Sequence, residues 1–425
     1  MSNRAKTLLL LLVDIGILFL SLTIVISLRH GNLSEHYRLF SLIFPFWILM
    51  YFIEGLYTLR TYNPANLSIS VLRGTVLSII VSFIFIYLFP IQGDEVTPKT
   101  NLILTGLFAL VLIYGWRTSF FKFFSGDRRL RETVLIGSPE TLQMVTEEIE
   151  RKPHLGYKII ATSGEIPLET KLIAIERNFA NTELYQKIFS MLGSVEVMDL
   201  AAFAEKISGK IPIKAIDEAW FIEYCGHQES RSYDFLKLVI DKSVAILMLI
   251  LLIPVALILI PILLVFHGRP IVFKQIRTGQ NNKPFKLYKL RSMVVDAEKN
   301  GAQWAKPGDA RVTKIGKFLR KTRLDELPQL INIIRGEMSL VGPRPERPEM
   351  IEKQLAPNIP FYNLRHLVKP GVTGWAQVTF RYGFSQEDSK EKLQYDLFYV
   401  KNRSIWLDIL VVLKTIKTII TGAGQ

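Results

Sequence analysis

With a single cysteine, Cys225, in 425 residues the chain cannot form an internal disulfide, so a reducing compartment is permitted but not required. Histidine is almost as scarce. Six scattered histidines and that one thiol offer no zinc-like ligand cluster. Glycine is lacking where a dinucleotide loop would need it: after the predicted strand at 131–136 the turn reads Gly137-Ser138-Pro139-Glu140-Thr141-Leu142. A G-x-G-x-x-G turn lets backbone approach a pyrophosphate, whereas this one has one glycine and a proline with no N–H to donate. The 131–164 stretch nonetheless has a strand, turn, helix, strand pattern, so it reads as a degenerate Rossmann-like unit with a docking or oligomerisation role. Acidic charge is short in the C-terminal part only. Residues 1–232 carry 22 Lys+Arg and 22 Asp+Glu, residues 233–425 carry 30 and 16, and residues 269–323 carry 15 against 3. Such a basic concentration suits an anionic partner: lipid headgroups, a nucleotide diphosphate or nucleic acid.

What the chain has in plenty is apolar sequence, 49% of its residues with a positive mean hydropathy, which excludes an ordinary soluble protein. Four N-terminal stretches, about 7–28, 39–57, 71–91 and 102–124, have the roughly 20 residues a membrane span needs. Arg4 and Lys6 before the first and Lys122, Arg128, Arg129 and Arg131 after the fourth bias both ends of this bundle to the cytoplasmic side. No small-residue cleavage site closes the first stretch and Asp14 interrupts it, so no removable signal peptide is read. Asp14 fits an interhelical hydrogen bond or an interfacial position as readily as a functional acid, and it is assigned no role.

A fifth apolar stretch, 243–266, is flanked by cations on both sides and broken by Pro254 and Pro261. A crossing would carry the basic segment outside, so a re-entrant helix bent at Pro254 is expected. The basic segment 273–293 alternates cations with apolar residues and reads as a phosphate-binding strand pair or a headgroup contact. Nucleic acid is set aside because the segment adjoins a membrane element.

Residues 320–345, RKTRLDELPQLINIIRGEMSLVGPRP, then place adjacent carboxylates, Asp325 and Glu326, between Arg320, Lys321 and Arg323 and a Pro343-Arg344-Pro345 clamp. Chemistry on a phosphate ester needs this composition. The spacing predicts a helix from Leu327 to Gly336, with Asp325 at or near its N-cap, and a helix N-terminus favours phosphate oxygens as well as a cap. The apolar helix expected over 404–421, with Asp408, Lys414 and Lys417 on a polar strip, suits an interfacial and a core position equally.

VFKQIRTG, KLRSM, LRKTRLDELPQLINIIRGEMSLVGPRPE and VKPGVTGWAQV, in this order and spacing, resemble the bacterial polyprenyl-phosphate hexose-1-phosphate transferases, the large monotopic phosphoglycosyl transferases. The resemblance covers residues 233–425 strongly and the front of the chain loosely. It implies three domains: a four-helix transmembrane region over 1–126, a Rossmann-like cytoplasmic domain over 127–232, and a mainly helical catalytic domain over 233–425 carrying the re-entrant helix. It also implies a bacterial inner-membrane location, with the catalytic domain on the cytoplasmic face. Asp325 would attack the β-phosphorus of a UDP-sugar, releasing UMP, and polyprenyl phosphate would take the phosphosugar. Mg²⁺, held by Asp325 with help from Glu326, would bridge diphosphate oxygens, although Glu326 could instead orient groups or accept a proton. By motif position Arg320 and Arg344 look like phosphate-binding residues, with Arg277, Lys289, Arg291 and Arg381 as further candidates for headgroup or nucleotide contacts. A homodimer is left open. The stretch 381–404 looks like a branch tied to exopolysaccharide production.

Two departures stand out. Ile253 replaces the serine that many members carry before Pro254, and Thr379-Phe380-Arg381 replaces Asn-Gly-Arg after the Gly-Trp-Ala-Gln motif. Two rival classes remain. A membrane-anchored nucleotide-sugar dehydratase would need the glycine-rich loop and a Tyr-x-x-x-Lys, and the Tyr233/Lys237 spacing here abuts the apolar stretch without that loop. A non-catalytic scaffold would not need Asp325, Glu326 and Arg344.

Overall fold

The computed structural model describes the chain except residues 1–2, 30–32, 58–63, 89–97, 126–129, 163–164, 178, 180–181, 226–230, 296, 298–308, 381–384 and 422–425. It falls into two units, residues 1–133 with 149–159 and residues 134–148 with 160–425.

The first unit holds α1 (Asn3–Leu28), α2 (Leu33–Ile53), α3 (Pro64–Leu88) and α4 (Pro98–Ser125). All four are long and apolar enough to cross a membrane, as the sequence predicts. Large aromatics fill their shared core, among them Phe40, Phe44, Trp47 and Tyr51. In hydrocarbon no water can satisfy a polar group, so polar side chains pair across helices. The Trp47 indole donates to Ser82 Oγ at 2.9 Å. Asp14 meets Arg117 Nη2 at 2.5 Å with both side chains fully buried, and the guanidinium also donates to the Leu56 carbonyl and lies over the Tyr57 ring at 5.0 Å. The acid that interrupts the first apolar stretch is therefore one half of an interhelical ion pair between α1 and α4.

The next elements are β1 (Arg131–Ile136), α5 (Pro139–Arg151), β2 (Tyr157–Ala161), β3 (Leu172–Ile175), α6 (Thr182–Ser190), β4 (Glu196–Asp199), α7 (Leu200–Ser208) and α8 (Glu218–Cys225). The sheet order is β2-β1-β3-β4, and β3 pairs in parallel with β4 from Leu172↔Glu196 to Ile175↔Asp199. A parallel pair needs a crossover, which α6 supplies. The glycine-poor turn after β1 is filled from within. Ser138 N donates to Glu176 Oε2 at 2.6 Å, and a Cβ on Gly137 would sit 2.6 Å from that same oxygen. A carboxylate of the chain itself occupies the backbone donor that a bound phosphate would seek.

The second unit continues with α9 (Arg231–His267), the antiparallel hairpin β5 (Val272–Thr278) and β6 (Pro284–Leu290), α10 (Lys314–Lys321), α11 (Gln329–Ile334), β7 (Ser339–Val341), α12 (Pro348–Met350), β8 (Gly371–Thr373), α13 (Trp375–Thr379), α14 (Gln386–Asn402) and α15 (Ile405–Thr421). α9 is a single 37-residue helix that contains both Pro254 and Pro261, and it too is long and apolar enough to cross a membrane. Of α15, Val411 is buried while Trp406 is 82% exposed.

A shared core joins the segment 201–221 to the region after it. Ile211, Ile213, Trp220 and Phe221 pack with Ile351, Leu355, Leu393 and Leu397. Lys401 pairs with Glu205 at 2.5 Å, and the Trp375 indole donates to the Gly209 carbonyl at 2.8 Å.

Removing one partner of a buried ion pair leaves an uncompensated charge, at a cost of about 3–5 kcal/mol. Arg117→Leu should therefore lower the thermal unfolding midpoint of the detergent-purified chain markedly, and adding Asp14→Leu should restore most of the loss. An unchanged midpoint for the single variant would show that the pair carries no such weight.

Candidate active site

Three elements bring the charged groups together. The β5–β6 hairpin carries Lys289, the segment from α10 into α11 carries Arg320, Arg323, Asp325 and Glu326, and the loop after β7 carries Arg344. Asn332, fully buried, locks α11 to β6: its amide donates to the Lys286 carbonyl and to Glu337 Oε2, both at 2.7 Å, and accepts from Tyr288 N at 3.2 Å. α10 is seated as firmly. Thr313 caps it, accepting from Gly316 N at 2.9 Å, and a Cβ on Gly316 would lie 1.9 Å from the Ser292 carbonyl oxygen, so only glycine permits that approach.

Asp325 does not cap the following helix as expected. It sits inside a 3₁₀ turn, Leu324–Glu326, while the N-cap of α11 is Pro328. The cause is Arg323, whose left-handed backbone (φ 57°) turns the chain before the carboxylates. A bulky residue seldom adopts that conformation. The turn sends both carboxylates inward, Asp325 to 7% and Glu326 to 9% exposure.

Inside, Glu326 Oε1 faces three cations: Lys289 Nζ at 3.3 Å, Arg344 Nη1 at 3.5 Å and Arg323 Nη1 at 3.7 Å. Burial alone would raise its pKa, but Lys289, Arg344 and Arg323 overcome that and hold it at about 2. Asp325 is pushed the other way. Burial, and then the neighbouring Glu326 charge, lift its carboxyl above the ordinary aspartate range, against the pull of Lys289, Arg320 and Arg323. Its buried Oδ1 has no hydrogen-bond partner. Adjacent in sequence, the two acids thus differ in kind: Glu326 is a fixed counter-ion, and Asp325 is an under-solvated oxygen inside a cationic ring.

The other expected site residues divide. Arg320 stands beside Asp325, its Nε donating to Ser292 Oγ at 2.9 Å. Arg277 lies within electrostatic reach of Lys289, but its guanidinium donates to the Pro345 carbonyl (3.1 Å) and Gln275 Oε1 (2.6 Å) and faces Glu346 at 3.6 Å. Arg291 donates to the carbonyls of His267 and Gly268, closing the C-terminal end of α9 rather than joining the carboxylates. Pro343 accepts from Gly371 N at 2.9 Å. Pro254 lies inside α9 and contributes no contact to the carboxylates among the described residues. Arg381 lies outside the described residues.

Sequence reasoning missed Arg365. Buried at 5% exposure, it donates to the Arg344 carbonyl at 2.8 Å and to Tyr362 Oη at 2.5 Å, and pairs with Asp396 at 2.7 Å. With Arg277 on the Pro345 carbonyl, two guanidiniums grip the backbone that carries Arg344. Burial raises the Asp396 carboxyl to about 6 in spite of Arg365. No local spacing marks this pair, whose members are 31 positions apart.

A divalent cation can be tested against these groups. Among the described residues no three His, Cys, Asp or Glu side chains converge as a metal cage. Mg²⁺ does not require one, since it commonly takes one or two carboxylates and completes its shell with water and substrate phosphates. The unpartnered Asp325 oxygen fits such a ligand, whereas Glu326 Oε1 already faces three cations.

Residues 232–422 match the profile of the family described as bacterial sugar transferases. The chain is 40% identical over 233 residues, 55% of its length and 54% of the relative's, to the UDP-N-acetylgalactosamine-undecaprenyl-phosphate N-acetylgalactosaminephosphotransferase of Aeromonas hydrophila. It is 42% identical over 178 residues, 41% of its length and 38% of the relative's, to the UDP-glucose:undecaprenyl-phosphate glucose-1-phosphate transferase of Klebsiella pneumoniae. A sugar transferase of Bacillus subtilis, EpsL, described as uncharacterized, is 38% identical over 193 residues, 44% of this chain and 89% of that one. The chain therefore belongs to the bacterial sugar transferase family, although the matches span about half or less of the first two relatives.

If Asp325 must be ionised to react, activity should fall on the acid side with a midpoint above the ordinary aspartate value of about 3.9. Glu326→Gln removes the neighbouring negative charge and releases three cations to act on Asp325, so both effects should move that midpoint to lower pH. A pH–rate profile of residual activity in Glu326→Gln checks this, and a midpoint moved to higher pH would contradict it.

Proposed function

We propose that this chain transfers a sugar-1-phosphate from a UDP-sugar to undecaprenyl phosphate, as a membrane step of exopolysaccharide or surface glycan synthesis. The observation that carries this reading is the buried, unpartnered Asp325 oxygen within reach of Lys289, Arg320 and Arg323. The names of the Aeromonas hydrophila and Klebsiella pneumoniae relatives supply the reaction class.

In this mechanism an Asp325 carboxylate oxygen attacks the β-phosphorus of the donor. A bond forms between that oxygen and phosphorus, the bridge to the α-phosphate breaks, and UMP leaves with the bonding electrons. A phosphate oxygen of undecaprenyl phosphate then attacks the same phosphorus, returning Asp325 as carboxylate and yielding the polyprenyl diphosphate sugar. Each step brings an anion to an anion, so charge neutralisation is the central problem. Lys289, Arg320 and Arg344 supply it from three separate elements. Glu326 keeps Lys289, Arg323 and Arg344 converged before substrate arrives, and Arg277 and Arg365 hold the Arg344 backbone. Mg²⁺, when bound at Asp325, would offset part of the diphosphate charge.

We further infer that α9 enters the membrane from the cytoplasmic face and bends back at Pro254. Its large residues from Ile246 to Phe266 are widely exposed, yet both of its ends are tied to the same unit. Lys237 pairs with Asp408 at 2.8 Å, and the His267 ring meets Thr313 Oγ1 at 2.6 Å. The sheet over 131–199 then serves as a degenerate Rossmann-like cytoplasmic domain, its phosphate position filled by Glu176.

UMP release from a panel of UDP-sugars, with Mg²⁺ and undecaprenyl phosphate, tests the reaction. Wild type should release UMP with at least one donor, and Asp325→Asn should lose essentially all activity while keeping its unfolding midpoint. Equal release by both would remove Asp325 from the reaction. For the bend, single cysteines at Lys242 and Gly268, placed in a Cys225→Ser chain, should both react with a membrane-impermeant maleimide from the cytoplasmic side of oriented vesicles. Labelling of the two from opposite sides would make α9 a full crossing.

A further inference from the structure

We propose that a cavity of 360 Å³ between the first turns of α9 and the β7 region binds the headgroup of an anionic membrane phospholipid. The cavity shares no residue with the cluster around Asp325, and its volume lies at the lower end of the range of small-molecule sites. Its chemistry is amphiphilic. Leu238, Ile333, Met338 and Val368 give it an apolar wall, and Lys369 and Arg403 stand among its polar groups.

The charges around it are unevenly paired. Three cations, Lys237, Lys369 and Arg403, line it with two anions, Asp234 and Asp241, and Asp408 adds a third anion on Lys237. Arg403 pairs with Asp234 at 2.8 Å. Lys237 pairs with Asp408 at 2.8 Å and Asp241 at 3.7 Å, and Asp241 accepts from Ser339 Oγ at 2.6 Å. Lys369 makes no hydrogen bond or ion pair among the described residues. It is half-buried, and burial depresses its pKa although Asp241 attracts it. An amine withdrawn from water without a partner is costly, and an arriving anion relieves that cost. One ammonium left without an ion pair beside an apolar wall matches a phosphodiester attached to hydrocarbon. A sugar brings no charge, and a nucleoside diphosphate brings more than one unpaired ammonium offsets.

Its position matches lipid as well. The turns of α9 that line the cavity with Lys237, Leu238 and Asp241 expose Phe235, Leu236, Val239 and Ile240, and exposed apolar residues continue from Ile246 to Phe266. Trp406, 82% exposed, starts the helix whose Asp408 holds Lys237. An exposed tryptophan and several cations beside an apolar helix are the usual arrangement at headgroup depth. The inference rests on the membrane location of α9 and not on the chemistry assigned to Asp325.

Native mass spectrometry of the full detergent-purified chain, after incubation with phosphatidylglycerol, phosphatidylcholine or undecaprenyl phosphate, tests it. Wild type and Asp325→Asn should retain one phosphatidylglycerol under conditions that strip phosphatidylcholine, and millimolar inorganic phosphate should not displace it. Lys369→Gln should weaken retention about tenfold, equivalent to ~1.4 kcal/mol, while Lys369→Arg keeps it. Leu238→Glu, which puts a negative charge in the wall with Lys369 intact, should also expel the lipid, and unfolding midpoints establish that each variant is folded. Equal retention by wild type and folded Lys369→Gln, or of both phospholipids, would overturn the proposal. Displacement by phosphate alone would reduce the cavity to a free-anion site. Lys369-dependent retention of undecaprenyl phosphate in preference to phosphatidylglycerol would replace the headgroup with the acceptor lipid.

Discussion

The Glu326 carboxylate is the interaction on which the site depends. Lys289, Arg323 and Arg344 come from a hairpin, a left-handed turn and a proline-flanked loop, and all three lie within 3.7 Å of one oxygen. Without an anion among them, three crowded, half-buried cations would repel one another and push their elements apart. Glu326 supplies that anion permanently, its pKa held far below physiological pH. Asp325, one residue away, can therefore be spared this duty and left with an unpartnered oxygen. The cost of desolvating Asp325 is borne by the surrounding packing, in which Asn332, Gly316 and Arg365 each fix one wall of the cluster.

Much of this was legible in the chain. Apolar runs of spanning length gave the four N-terminal helices, and alternation of cations with apolar residues gave the β5–β6 hairpin. Motif order points to Arg320 and Arg344 as phosphate-binding residues and to Lys289 only as a headgroup or nucleotide contact, and the structure sets all three beside the two acids. What could not be read was the use of each guanidinium. Arg277 and Arg291 look, in sequence, like any other cation of the basic segment, but they meet backbone carbonyls, because five fixed donors suit a loop or helix end that lacks internal partners. The Arg365–Asp396 pair had no local signature at all. The N-cap expected at Asp325 followed a sound local rule, and the left-handed Arg323 overrode it by turning the chain two residues before the expected cap.

The middle sheet shows the same physics with the opposite result. Its first turn has the outline of a phosphate loop, yet Glu176 accepts from Ser138 N and stands where a Cβ on Gly137 would clash. A built-in anion at this place replaces an external one, just as Glu326 does among its cations. In one place the internal carboxylate satisfies a turn, and in the other it gathers groups that a second anion can still engage.

The seam at residue 231 has a consequence for how such chains can be recombined. The family profile begins at Ser232, but Trp220 and Phe221 lie in one dry core with Leu355, Leu393 and Leu397, and the Trp375 indole reaches back to Gly209. The module that would have to travel intact in an exchange between relatives is thus larger than the one sequence similarity outlines. A graft made at residue 232 would inherit the chemistry but leave Met350, Ile351 and Leu355 wet, whereas one made near residue 200 would carry its own lining.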